Sequence, residues 1–162
     1  MEDIEKPKIL TDFANSFMFL ITSIVNSELS KSRNFSIIEH NDNFPVFSSQ
    51  FSIKEVLKPF FSNVQTMKGE HEVIALAFLL HRANNDFHLI LDEDGPRKFV
   101  TRQFSFLAHK MTGTVGFLGK CHCEFKIVQK QLALDTLQEI EQSKFRVDSN
   151  ILNSIKCRIK DC

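Results

Sequence analysis

The chain has 162 residues, 43% hydrophobic and 25% charged, enough to bury a core and too apolar for a disordered chain. Twenty basic and twenty acidic residues cancel, so no net charge draws the whole molecule to nucleic acid or to an anionic membrane. No apolar run reaches the roughly 20 residues of a bilayer span, and MEDIEKPKIL is acidic where a secretory signal is basic, so a cytoplasmic protein without a membrane partner is expected.

Residues 8–12, KILTD, are apolar-rich and end on Asp12. FMFLI, residues 17–21, is short, continuous and apolar, the pattern of a buried strand. Thr22 or Ser23 can cap a helix over IVNSELSK, in which Ile24, Val25 and Leu29 share a face. Residues 32–50 are the least regular stretch, with a short strand expected at Phe35–Ile38, and Ser52–Phe61 reads as a helix stopped near Pro59. A helix over residues 70–81 follows. Every residue from Val73 to Leu80 is apolar, so this helix belongs in the interior, yet it opens with Glu70, His71 and Glu72. An NND turn at 84–86 leads to a buried strand, HLIL (88–91), that ends abruptly in DEDGP. Helices are expected at Val100–Ala108, from Thr112 or Thr114, and over most of Phe125–Ile140. FRV (145–147) is strand-like, and Asp148 caps a last helix. Strands alternating with helices predict an α/β fold whose parallel sheet is covered on both faces, and no repeat or long linker divides the chain.

In such folds functional groups gather at the carboxyl ends of the strands. Asp92 ends HLIL, Glu70 opens the apolar helix, and Glu28 lies one turn into the helix after FMFLI. Three carboxylates at one sheet edge repel and call for a cation. Oxygen-only ligands select Mg²⁺ or Mn²⁺, which activates water and stabilises charge on a phosphate. Each acid alone also suits an ordinary place, Glu28 and Glu70 in first helical turns and Asp92 at a turn. Charge is segregated along the chain. Residues 1–96 hold eight basic against fourteen acidic side chains; residues 97–130 hold seven basic ones, including Arg97, Arg102, Lys110 and Lys120, against Glu124 alone. That suits an acid-lined metal site beside a phosphate-gripping surface, and equally a solvated face.

Several motifs fail. His71-Glu72 begins like HExxH, but position 75 is Ala, and neither GxGxxG nor a P-loop occurs, which weakens a small-ligand Rossmann-like reading. Cys121-His122-Cys123 could be half of a zinc set on one strand face, but no second ligand pair is visible. Free thiols are expected at Cys121, Cys123, Cys157 and Cys162. All 17 aromatic residues are Phe, which removes the strongest stacking side chains for single-stranded nucleic acid.

KGEHEVIALAFLL (68–80), LILDEDGPRKFV (89–100), MTGTVGFLGK (111–120) and FRVDSNILNSI (145–155) follow one another as in the second half of PIN-domain proteins. The chain resembles the VapC-like ribonuclease subgroup with GEAEAIALA, DExxxR and VTGTLGVL motifs, well over residues 66–156 and weakly over 17–31. The resemblance implies a single PIN-like domain over 1–162, a three-layer α/β/α sandwich with a parallel central sheet. It also implies a Mg²⁺- or Mn²⁺-dependent endoribonuclease, often a toxin, whose partners are RNA, an antitoxin protein and a second copy of itself. The family's acids fall on Glu28 in VNSEL, on Glu70 after Gly69 and on Asp92; its arginine falls on Arg97 and its GT turn on Gly113-Thr114. The family opens with a strand ending in Asp, then a helix and a second strand. Here KILTD would be that strand and Asp12 that acid, but fifteen residues between Asp12 and Glu28 are too few for the remaining elements. Residues 1–50 are therefore the divergent part. If residues 8–12 form a strand beside 88–91, Asp12 joins the cluster and RNA is cleaved. If they are helix or coil, the chain is a degenerate module that binds RNA or a partner protein and cleaves weakly or not at all.

Overall fold

In the computed structural model the described residues are 7–31, 35–39, 41–47, 56, 59 and 69–162. In chain order they form α1 (Pro7–Ser16), β1 (Ile21–Thr22), α2 (Ser23–Leu29), α3 (Phe35–Glu39), β2 (Val46–Phe47) and α4 (Gly69–Arg82). Then come β3 (Leu89–Ile90), α5 (Asp94–Gln103), a 3-10 segment (Ser105–Lys110), β4 (Met111–Thr112), α6 (Thr114–Cys123), α7 (Lys130–Gln142) and α8 (Ser149–Asp161). The chain is thus mixed α/β, mostly helical, with short parallel strands. The helix expected at Ser52–Phe61 lies, apart from residues 56 and 59, outside the described residues. No helix among the described residues is long and apolar enough to cross a membrane.

Two compact units emerge, each assembled from separated segments. One comprises Leu20–Lys31 and Pro45–Gly113 and holds the four strands formed by the described residues. β1 pairs with β2 in parallel, Ile21 opposite Val46; β3 pairs with β4 in parallel, Leu89 opposite Met111 and Ile90 opposite Thr112. Parallel neighbours need a crossover, and α5 with the 3-10 segment supplies it between β3 and β4. Ile74, Ala77, Leu89, Leu91, Val100, Phe104 and Leu107 form this unit's core. The all-apolar run of α4 is explained by its place there, with Ile74, Ala75, Leu76 and Ala77 buried. The helix ends where Asn84 takes the left-handed conformation, φ 57°, and Asn85 N–H returns to Leu80 O.

The other unit comprises Met1–Phe19, Ser32–Phe44 and Thr114–Cys162 and is helical among its described residues. Here α6, α7 and α8 pack on one another, and Asp148 caps α8 as expected, accepting from Asn150 N–H at 2.7 Å. Phe13, Phe17, Phe19, Phe44, Phe117 and Phe125 form a linked aromatic cluster with centroids 5.1–6.3 Å apart. That cluster accounts for FMFLI. Its apolar run serves ring packing, and only Ile21 of the expected strand is β.

Other expectations are corrected. KILTD is not a strand: Ile9 and Phe13 are buried one helical turn apart in α1. Phe35–Ile38 is helical in α3, and FRV is not β; its Phe145 N–H is held by Ser143 Oγ at 3.0 Å. The helix expected at Val100–Ala108 begins earlier, at Asp94, because Pro96 falls within the first turn, where its missing N–H breaks no helical bond. Cys121 and Cys123 end a helix instead of sharing a strand face, and Cys123 is disulfide-bonded to Cys162. Of the four thiols expected free, Cys121 and Cys157 are free.

Candidate functional site

The unit that holds the strands contains Glu28, Glu70 and Asp92. Val25 and Glu28 lie three apart on α2, hence on one face, and that face meets the start of α4. A Cβ on buried Gly69 would come 2.9 Å from Val25 Cγ2 and 3.2 Å from Glu28 Oε2, so only glycine lets the two helices approach this closely. Glu28 is exposed and thus stands over the residue that precedes half-buried Glu70.

The buried acid of α4 is neither of these. Glu72 is 6% exposed, and its Oε2 accepts from Ile24 N–H of α2 at 2.7 Å. The expected hydroxyl cap is absent: Thr22, at the N-cap position, makes no side-chain capping bond, and its buried Oγ1 has no hydrogen-bond partner among the described residues. A carboxylate from a neighbouring helix satisfies the orphan N–H instead.

Asp92 follows β3, whose pairing is extended by Leu91 N–H donating to Thr112 O at 2.9 Å. A Cβ on Gly113 would meet Asp92 Oδ1 at 3.0 Å and Arg97 Nη1 at 3.3 Å. Arg97 is anchored there by donating from Nη1 to Leu91 O at 3.0 Å. Gly113 of the GT turn therefore makes room for a carboxylate and a guanidinium together. Beyond Arg97, a cavity of about 270 Å³ is lined by Asp94, Arg97, Lys98, Thr101, Arg102 and Met111.

Of the four cations expected to grip RNA, Arg97 and Arg102 thus come to one cavity. Lys110 is held by Asp86 at 3.0 Å and lies 4.8 Å from the Phe87 ring centroid; its hydrogen bond, and then its charge, keep the Asp86 carboxyl below the usual range. Lys120 belongs to the other unit and faces Glu124 at 3.9 Å. Asp12 also belongs to that unit, half-buried in α1, with its backbone carbonyl accepting from Ser16 Oγ at 2.8 Å. No group of three or more His, Cys, Asp or Glu side chains among the described residues is placed to hold a metal ion.

The expected site residues leave out Glu72 and Thr101, and Lys98 counts only within the basic segment 97–130. Glu72 carried a usable signal, because it lies four residues before buried Leu76 on the same helical face. Lys98 and Thr101 become legible once the helix is begun at Asp94, one turn from Asp94 and Arg97 respectively. Compared with known proteins, the chain matches no family model, no curated protein and no solved structure.

Proposed function

We propose that the chain is a PIN-like module that binds RNA and cleaves it weakly or not at all. The observation that carries this reading is the helical state of residues 8–12. The strand that would carry Asp12 as the first acid is not formed there. The PIN-like sandwich is itself part of the proposal. In its favour, β3, α5, β4 and α6 carry the quoted motifs in order, with β3 and β4 parallel and in register. RNA is the partner that the α5 cations favour, because Arg97, Lys98 and Arg102 meet at one cavity.

One observation favours the nuclease reading. Glu28 stands over Gly69 beside Glu70, as the family's second and third acids would. On that reading the partners include an antitoxin protein and a second copy of the chain. Thermal unfolding with and without Mn²⁺ separates the two. An ion that binds only the folded chain raises Tm by mass action. The RNA-binding module is expected to show the same small Mn²⁺ response in wild type, Glu70→Gln and Asp92→Asn. A clear rise in wild type that both substitutions diminish would establish the metal site and favour the nuclease.

A further inference from the structure

We infer that the α5 cavity receives a terminal phosphate monoester of an RNA chain, in preference to the phosphodiesters along it; this rests on the RNA-binding reading. Helical spacing builds the site. Lys98 and Arg102, like Arg97 and Thr101, stand one turn apart, and all four reach the same cavity. Arg97 is oriented by its bond to Leu91 O and keeps further guanidinium N–H donors. Lys98 is paired with Asp94 at 3.2 Å, but both side chains are largely exposed, so the pair is weak and its ammonium can turn to an anion. Thr101 directs its hydroxyl to Arg97 O, which leaves the cations as the recognising groups.

Charge and placement select the ligand. Three cations and one carboxylate around a single cavity favour an anion, and Asp94 disfavours a weak one. A phosphodiester brings one negative charge, whereas a monoester brings about 1.5 to 2 at neutral pH together with a third acceptor oxygen. The cations gather at one spot on a single helix, which suits one end group better than a length of chain. Met111 gives an adaptable apolar wall for the adjoining sugar or base. A point-like cluster of this kind differs from the extended basic groove that tracks a single strand.

The test is fluorescence anisotropy on the full chain in chelator-treated buffer. Three versions of one short single-stranded RNA are compared: 5′-phosphorylated, 3′-phosphorylated and with hydroxyls at both ends. One phosphorylated form is expected to bind about tenfold tighter than the hydroxyl form, the worth of one charge-assisted hydrogen bond. Which of the two it is identifies the end. Lys98→Ala and Arg102→Ala, checked for folding by circular dichroism, should bring the preference close to unity. Asp94→Asn should enlarge it. Inorganic phosphate should compete with the phosphorylated RNA and leave the hydroxyl form bound. Equal binding of all three RNAs by wild type overturns the end-group site and leaves RNA binding standing. Failure to bind any of them overturns the RNA-binding reading as well. A preference that survives both alanine variants also overturns the site, because the end would then be held elsewhere.

Discussion

Glu72 shows what an acid at the head of an apolar helix can do without a metal. Its carboxylate is buried because it closes the N-terminus of α2 at Ile24 N–H, the bond that neither Thr22 nor Ser23 supplies by a side chain. The acidic run Glu70-His71-Glu72 was legible as something unusual, but the weight fell on Glu70. A first-turn carboxylate is read from its own helix, whereas the helix that Glu72 caps lies 48 residues away in sequence. Removing a buried cap leaves a donor unpaired. Glu72→Ala is therefore expected to lower the free energy of unfolding by about 2 kcal/mol, and Glu70→Gln by less than about 0.5 kcal/mol, read from urea midpoints at constant slope. Equal losses from the two would place the structural carboxylate wrongly.

At the scale of elements, long segments and those with a clear helix start are the readable ones. The apolar helix now seen as Gly69–Arg82, the helix from Thr114 and the Asp148-capped helix all formed near their expected bounds. Short apolar runs were not readable, because three or four apolar residues fit a strand, a helical turn or an aromatic cluster equally well. KILTD, FMFLI and Phe35–Ile38 each went to a different one of these from the strand expected. The shift of α5 matters most for the site. Starting the helix at Val100 leaves out the turns that bring Arg97, Lys98 and Arg102 together.

Cysteine pairing was unreadable for another reason, since Cys123 and Cys162 stand 39 residues apart and only the packing of α6 on α8 joins them. By chain entropy such a link contributes about 4 kcal/mol, so reduction should lower the urea midpoint markedly. Native alkylation at pH 8 should label exposed Cys157 alone. Burial pushes the Cys121 thiol up to about 12, leaving roughly one molecule in ten thousand as thiolate. Mass spectrometry showing Cys121 labelled as fast as Cys157 would contradict that placement.

On the scale of the whole molecule, a charge excess counted along the sequence is not a surface. The basic segment 97–130 divides at Gly113, with Arg97, Lys98, Arg102 and Lys110 in one unit and Lys120, Lys126 and Lys130 in the other. Within the second group Lys120 faces Glu124, and Lys130 donates to Lys160 O at 2.7 Å. RNA affinity should accordingly fall with salt through the α5 cations. Arg102→Ala is expected to flatten the logarithmic salt slope by about one unit, and Lys110→Ala by less than about half a unit because Asp86 already holds that ammonium. The PIN-like acids are the part on which sequence and geometry diverge: the motifs stand in order, yet residues 8–12, which would carry the first acid on a strand, are helical. The most direct measurement is a mobility-shift titration of end-labelled RNA in Mn²⁺, with each shifted band recovered and run under denaturing conditions. The expected result is a saturable, salt-sensitive shift in which the recovered RNA is full length. Robust Mn²⁺-dependent cleavage by wild type, abolished by Glu70→Gln and by Asp92→Asn, would contradict it.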